Sequence, residues 1–120
     1  MAVETWRLIV DPPRPGAWNM ALDEALLEAV GSGKSPPTLR FYGWDPPCLS
    51  LGAFQPVADI SRGACAELGI DLVRRPTGGR AVLHHREVTY AVALPRAVAG
   101  RPREAYLKIC RAILRGLGEL

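Results

Sequence analysis

The sequence feature that most constrains the fold is the helical pattern over residues 102–117. Pro102 suits the first turn of a helix, and apolar residues then recur in two rows, Tyr106, Ile109, Ile113 and Leu117 in one and Leu107, Cys110 and Leu114 in the other. A helix with so wide an apolar stripe needs another layer to lie on, so the pattern predicts a layered fold. No stop signal follows before Leu120, so we expect residues 1–120 to be the N-terminal portion of one larger domain.

Short β-prone segments separated by proline and glycine predict the sheet that this helix would cover. The segments are residues 6–10, 38–42, 48–52, 70–73, 80–83 and 88–94. Two further helices interrupt them. One follows an expected N-cap at Asn19 and stops at residues 31–33, and a shorter one runs from an acidic N-cap at Asp59 to Leu68. This order predicts an α/β fold with a mixed α+β sheet.

The first helix is expected to be amphipathic. Its apolar residues share one face at helical spacing, and its acidic residues are expected to face away from the core: Leu22, Ala25, Leu26, Ala29 and Val30 inward, Asp23, Glu24 and Glu28 outward.

Composition places the chain among globular domains. Apolar residues make up 48% and charged residues 22% of the 120 residues. Neither an apolar run of about 20 residues nor a signal peptide is seen, so no membrane association and a cytoplasmic location are expected. Cys48, Cys65 and Cys110 are widely spaced without a C-x-x-C pair, so they are interpreted as free thiols.

Positive charge is concentrated in the second half of the chain. Residues 1–70 carry five Lys/Arg against eight Asp/Glu, a net −3, whereas residues 71–120 carry ten against four, a net +6. Arginine accounts for 13 of the 15 cations, and its planar fork suits carboxylates and phosphates. An anionic ligand or an acidic partner is therefore expected. Nucleic acid is not, because only Tyr90 and Tyr106 could stack on bases in the basic half.

The most informative motif is residues 74–85, in which two adjacent glycines are flanked by arginines. Gly78 and Gly79 allow backbone N–H groups to approach a ligand and permit the positive φ values of an anion-binding nest. The flanking cations are Arg74, Arg75 and Arg80. The motif predicts a cradle for a carboxylate, a thioester carbonyl or a phosphate. The alternative is a hairpin turn with solvated arginines.

His84 and His85 do not predict a metal site. Adjacent side chains on a strand point to opposite faces, and no third ligand stands at a supporting spacing. One of the two histidines is expected to face the glycines and orient a ligand or an arginine.

Cys48 could be a nucleophile with His84 as its base, but a lone cysteine in an apolar strand favours packing. Packing is also expected of Cys65 and Cys110. Trp44, Leu49 and Leu51 lie in a segment that could wall an acyl pocket.

Taken together, four blocks of sequence resemble the biotin/lipoate protein ligase (BPL/LPL) superfamily, in particular its lipoate-protein ligase and octanoyltransferase branches. The blocks are Asn19 to Leu26 (Asn-Met-Ala-Leu-Asp-Glu-Ala-Leu), Leu39 to Trp44 with Pro47 to Gln55, Arg74 to His84, and Glu87 to Val92. The resemblance spans nearly the whole chain. It implies a fold related to the class II synthetase catalytic domains, with an acyl chain in a tunnel that ends near the two glycines.

The resemblance also implies site residues. The substrate-binding signature falls on Arg74, Arg75, Thr77, Gly78, Gly79, Arg80 and His84. ATP-dependent ligases typically read Ser-Gly-Gly-Gly and His-Asp here, so Thr77-Gly78-Gly79-Arg80 and His84-His85 look more like the transferase branch. The family lysine and the transferase cysteine are expected beyond Leu120. No catalytic residue is therefore assigned in this chain, and the chain alone is expected to be inactive.

The implied activity is acyl transfer to a lysine of a lipoyl carrier protein. The transferase version takes octanoyl from octanoyl-acyl carrier protein and needs no cofactor, whereas the ligase version activates free lipoate with ATP and Mg²⁺. The acceptor would be the lipoyl domain of the glycine cleavage H protein or of a 2-oxoacid dehydrogenase. A non-catalytic acyl-binding subunit is the third alternative.

Overall fold

The computed structural model describes residues 4–120, which form two small sheets flanked by helices. In chain order the elements are β1 Arg7–Val10, α1 Gly16–Gly31, β2 Thr38–Tyr42, β3 Cys48–Leu51, a 3₁₀ turn Val57–Asp59, α2 Arg62–Glu67, β4 Asp71–Arg74, β5 Val82–His84, β6 Thr89–Ala93, α3 Arg96–Ala99 and α4 Pro102–Leu117. The six predicted strands are confirmed to within two residues. The short helix α3 was not predicted.

Each sheet has three strands with one parallel and one antiparallel pair. In the first sheet, β2 is central, parallel to β1 and antiparallel to β6. In the second sheet, β3 is central, parallel to β4 and antiparallel to β5. The predicted mixed fold is confirmed, and the chain passes from one sheet to the other between β2 and β3 and again between β5 and β6.

Both predicted helix caps are wrong. Helix α1 begins at Gly16, directly after Pro15, whose fixed φ suits a helix start. Asn19 lies inside the helix, fully buried, and its side-chain amide donates to the carbonyls of Arg14 (3.1 Å) and Gly43 (2.9 Å). The Asn19 side chain that was predicted to cap α1 therefore binds loop carbonyls instead. Helix α2 is capped by Ser61, whose Oγ accepts from the Ala64 N–H at 3.2 Å, rather than by Asp59.

Helix α1 packs between the two sheets. Leu26 and Val30 are buried against Ala93 of β6, with Leu22 and Ile9 at the margin. At its other end, a Cβ added to Gly16 would lie 2.4 Å from the Cys48 Sγ. The predicted apolar face is thus confirmed for its three largest residues, Leu22, Leu26 and Val30. The lack of a side chain at Gly16 lets the first turn of α1 lie against β3.

Helix α4 and the first sheet line opposite sides of a large apolar cavity. None of the sixteen residues of α4 is buried. The cavity measures about 880 Å³. Leu39, Phe41, Tyr90 and Val92 line it from the sheet, and Ile109, Ile113 and Leu117 line it from α4. Within residues 4–120, no helix is long and apolar enough to cross a membrane.

Candidate functional site

The glycine loop, defined here as residues 75–81, connects β4 to β5. Both strands pair with β3, one on each side, with Arg74 opposite Leu51 and Val82 opposite Ser50. The loop therefore passes over the carboxyl end of β3 instead of closing a hairpin. The alternative of a simple hairpin turn is wrong, because β4 and β5 are not neighbours in the sheet.

The loop lies in close contact with the segment that leaves β3. The Ala53 N–H donates to the Thr77 carbonyl at 2.9 Å, and a Cβ on Gly52 would lie only 1.9 Å from the Gly79 carbonyl oxygen. Gly79 has a φ of +96°, whereas Gly78 does not adopt a positive φ and faces open space. The predicted need for left-handed backbone therefore applies to one glycine of the pair.

Two backbone donors of the loop make no hydrogen bond within the described residues. Among residues 4–120, the N–H groups of Gly78 and Gly79 have no hydrogen-bond partner, whereas the Arg75 N–H donates to the Leu51 carbonyl at 2.9 Å. Unpaired N–H groups beside a residue without a side chain are the donors that an anion or a developing oxyanion requires.

Two of the predicted arginines bind the protein's own backbone. Nη1 of Arg74 donates to the carbonyls of Gly52 (2.7 Å) and Gln55 (2.6 Å). Arg75 lies under the loop, where Nη1 donates to the Ser50 carbonyl at 2.9 Å and Nη2 to the carbonyl of Gly78 at 2.8 Å. Both side chains thus hold the site in shape, and their contact with a ligand stays a prediction.

Arg80 is placed differently. Its side chain is 83% exposed and approaches the Asp59 carboxylate at 3.6 Å. An exposed pair of this length contributes little to stability, so Arg80 is the loop cation that is free to meet a partner or a ligand.

His84 is held on both ring nitrogens. Nε2 lies 2.8 Å from Ser50 Oγ and Nδ1 lies 2.6 Å from a carboxylate oxygen of Glu87. Trp44 stacks on the imidazole with ring centroids 4.1 Å apart, and its own Nε1 donates to Thr89 Oγ1 at 2.8 Å. Of the two histidines, His84 is thus the one held by neighbouring side chains, and His85 is exposed. Among the described residues, no three His, Cys, Asp or Glu side chains are grouped so that they could hold a metal ion.

A cavity of about 320 Å³ lies beside these groups. This is near the lower end of the roughly 300–1,000 Å³ usual for small-molecule sites. Polar residues line one part of it and apolar or aromatic residues the rest: Asp23, Ser50, Arg75, Thr77, His84 and Thr89, with Met20, Tyr42, Trp44, Pro76, Tyr90, Ala91 and Val92. Of the three residues predicted to wall an acyl pocket, Trp44 lines this cavity, whereas Leu49 and Leu51 do not.

The structure supports a packing role for Cys48. The side chain is fully buried, and burial raises the pKa of its thiol to about 12, with a smaller contribution from Asp71. Both nitrogens of His84 are bonded to residues other than Cys48. All three cysteines are free thiols, as predicted.

Sequence reasoning missed a buried ionic cluster next to the cavity. Arg40 is completely buried and donates to Asp11 (2.9 Å), to Asp23 (2.8 Å) and to the side-chain oxygen of Asn19 (2.8 Å). Tyr42 donates to Asp23 at 2.8 Å, and burial and this carboxylate raise the pKa of its hydroxyl. The prediction that Asp23 faces solvent is wrong. Strand alternation placed Arg40 and Tyr42 on one face, which was the available signal.

Comparison with known proteins agrees with this architecture. Residues 15–120 match the family model described as the lipoyl protein ligase A/B catalytic domain. The octanoyltransferase LipM of Geobacillus kaustophilus is 51% identical over 97% of this chain, and that of Moorella thermoacetica is 48% identical over all of it. The chain spans only 43% and 45% of the length of these two relatives.

Solved structures resemble the chain as well. A T. acidophilum structure with bound lipoic acid superposes with a TM-score of 0.63 at 33% identity, covering 75% of this chain and 37% of that one. A lipoate-protein ligase A bound with ATP gives 0.58 at 32% identity, covering 75% and 36%. The resemblance drawn from the four sequence blocks is confirmed, and the chain belongs to the lipoyl protein ligase A/B catalytic domain family.

Proposed function

We propose that the protein containing this chain transfers an octanoyl group to a lysine of a lipoyl carrier domain. The observation that carries the proposal is the pair of N–H groups at Gly78 and Gly79, which make no hydrogen bond within residues 4–120. They follow Thr77, which lines a cavity with a polar part and an apolar part. An acyl thioester needs both features, because its tail is apolar and its carbonyl oxygen gains charge during transfer. The octanoyltransferase relatives, which are 51% and 48% identical to this chain, support the choice of an octanoyl group.

The chemistry divides between this chain and the rest of the protein. A cysteine thiolate attacks the octanoyl thioester, the carrier thiolate leaves, and the acceptor lysine amine then attacks the acyl-enzyme and releases the cysteine. Cys48 is unsuited to this role because it is buried and its thiol resists ionisation. We assign the nucleophile and an assisting lysine to the part of the protein that follows residue 120, since the relatives are more than twice as long.

The proposed work of this chain is to bind and orient. Thr77, Gly78 and Gly79 receive the carbonyl end of the acyl group, while Trp44 and Tyr42 wall its tail. Arg74, Arg75 and His84 maintain the loop. Arg80 and the net +6 of residues 71–120 favour acidic carrier proteins. The proposed donor is octanoyl-acyl carrier protein, and the acceptor is a lipoyl domain of the glycine cleavage H protein or a 2-oxoacid dehydrogenase. A cytoplasmic location follows from these partners.

The test is transfer from octanoyl-acyl carrier protein to a lipoyl domain by the full-length protein, without ATP. Octanoylated lipoyl domain, measured by mass spectrometry, is the expected product. A strict requirement for ATP, Mg²⁺ and free lipoate would replace the proposal with the ligase function, which the likeness to an ATP-bound ligase structure makes the second candidate. Acyl binding without turnover would leave only a binding subunit.

A pair of glycine variants tests the role of the loop. Gly78→Ala and Gly63→Ala both add a methyl group where no neighbour lies within 4 Å, so both should fold normally. Only Gly78→Ala places the methyl beside the N–H donors. It should lower kcat/KM by about 10-fold, because the methyl group obstructs the approach of the carbonyl oxygen to donors whose complete removal costs about 10²–10³. Equal activities of the two variants would contradict the proposed loop role.

A further inference from the structure

A continuous chain of hydrogen bonds runs beneath the glycine loop. Nη1 of Arg75 donates to Ser50 Oγ at 3.1 Å, Ser50 Oγ lies 2.8 Å from Nε2 of His84, and Nδ1 of His84 lies 2.6 Å from Glu87. A guanidinium stands at one end of this chain and a carboxylate at the other. The function proposed above assigns no role to Ser50 or Glu87.

In a neutral imidazole, the two charged ends fix the direction of every hydrogen bond between them. Ser50 Oγ accepts from Arg75, which can only donate, and its one proton is left for an unprotonated Nε2 of His84. The Glu87 carboxylate can only accept, so Nδ1 of His84 carries the ring proton. The arrangement therefore selects the Nδ1–H tautomer, with Nε2 as an acceptor.

The array resembles a Ser-His-Glu triad in its distances but differs from it in access. Ser50 is 1% exposed, and its oxygen already accepts from one side chain while donating to another. A nucleophile must present its oxygen to a substrate carbonyl. Ser50 is placed instead to connect His84 with Arg75.

Arg75 extends the chain into the loop. Its Nη2 donates at 2.8 Å to the carbonyls of both Gly78 and Arg80, and a Cβ on Gly79 would lie 3.0 Å from this nitrogen. In the middle of the chain, Trp44 stacks on the imidazole of His84 and fixes the plane of the ring. Orientation of the loop carbonyls decides where the adjoining N–H groups point, since each peptide unit is planar.

We propose that Ser50 and Glu87 are positioning residues, which lock the His84 ring and, through Arg75, set the backbone of the glycine loop for an acyl carbonyl. The use of the loop for an acyl carbonyl rests on the function proposed above. The positions of the protons and the shape of the loop do not, and they can be measured without any ligand.

The first experiment is nitrogen-15 NMR of the histidine side chains in the full-length protein, with the His84 signals assigned by their loss in His84→Asn. The expected result is a protonated Nδ1 and an unprotonated Nε2. Glu87→Gln keeps a carbonyl acceptor and should retain this pattern, whereas Glu87→Ala should lose it. Glu28→Ala, at an exposed position of α1, is the matched control. A wild-type His84 with its proton on Nε2 overturns the proposal.

The second experiment follows the loop and then the reaction. Ser50→Ala should shift the backbone amide signals of Gly78 and Gly79, and in the full-length transferase it should lower kcat about 10-fold, the lower end of what partners that orient a functional histidine contribute. Ser32→Ala is the control, since Ser32 is exposed after α1. Unchanged loop amides in Ser50→Ala overturn the proposal. If the wild-type protein transfers no octanoyl group, the proposed function fails, and the tautomer and the loop amides still decide the positioning role.

Discussion

The two faces of the first sheet differ in how completely they are buried, and the hydrophobicity of their residues does not predict this difference. On the face toward α1, β2 buries Thr38, Arg40 and Tyr42. On the face toward α4, Leu39 and Phe41 line the 880 Å³ cavity and are only half-buried. The face toward α1 is closed because its charged and polar groups find partners within residues 11–42 and because Leu26 and Val30 pack against Ala93. The apolar face is open because α4 does not fill it. Paired buried charges, together with the apolar contacts of Leu26 and Val30 with Ala93, thus close one face, whereas the apolar residues of the other face leave a cavity.

The largest effect is expected from breaking the closed face at Arg40. Arg40→Met leaves Asp11 and Asp23 largely buried without their cation, which should lower the free energy of unfolding by about 3–5 kcal/mol. Arg103→Met, at an exposed position of α4, is the control and should change it by less than about 0.5 kcal/mol. Urea denaturation of both variants measures the difference. A loss below about 1 kcal/mol for Arg40→Met would show that the cluster is not what closes this face.

Truncating an apolar side chain on each face gives the next effect. Val30→Ala, in the core between α1 and β6, should cost about 2 kcal/mol, because the methyl groups that it removes are closely packed. Ile113→Ala removes more atoms from a side chain that is 41% exposed at the open cavity, and it should cost less than about 1 kcal/mol. Equal losses in thermal unfolding would mean that α4 packs on the sheet as tightly as α1 does.

The hydroxyl of Tyr42 provides a finer test of the closed face. Tyr42→Phe removes only the hydrogen bond to Asp23, which should cost about 1.5 kcal/mol since the acceptor is charged. Tyr106→Phe, on α4, is the matched change on an exposed residue and should be close to neutral. If chemical denaturation showed no difference between the two variants, the hydrogen bond to Asp23 would contribute nothing to the closed face.

The smallest effect concerns the pH dependence of Cys48. Its thiol pKa is about 12 in the folded chain, and a cysteine in an unfolded chain ionises near pH 9, so the unfolded state loses its proton first. Stability should therefore be unaffected below pH 8 and should fall by about 1 kcal/mol between pH 8 and 10. Cys48→Ala should be less stable at every pH, because it removes a buried side chain, but it should show a shallower decline. Parallel pH profiles of the two proteins would contradict the shift.

Much of the secondary structure could be predicted because it depends on the residue pattern within short stretches of chain. All six strands, the three main helices and the position of the two glycines follow from spacing, proline and glycine. The predicted caps at Asn19 and Asp59 were wrong. The Asn19 side chain binds loop carbonyls, and Ser61 caps α2. The outward orientation of Asp23 failed because its partner, Arg40, lies on a strand seventeen residues later.

The candidate site shows the same division. Sequence, through its motif and its family resemblance, picked out residues 74–84 and proposed His84 as a substrate-binding residue. It assigned Arg74 and Arg75 to a ligand, whereas the structure shows both donating to carbonyls of the segments around β3. Ser50 and Glu87 were not chosen, since a serine in an apolar strand and a glutamate in a turn carry no signal until the fold brings them to His84.

The sequence by itself determined the elements, the glycine loop and the family of this protein, because backbone propensity, turn chemistry and motif spacing act over short stretches of chain. Only the tertiary structure decided which face of β2 is buried, which groups the arginines bind and which side chains contact the two ring nitrogens of His84. Those outcomes depend on hydrogen-bond partners far apart in sequence, and a buried polar group takes its role from the partner that the fold supplies.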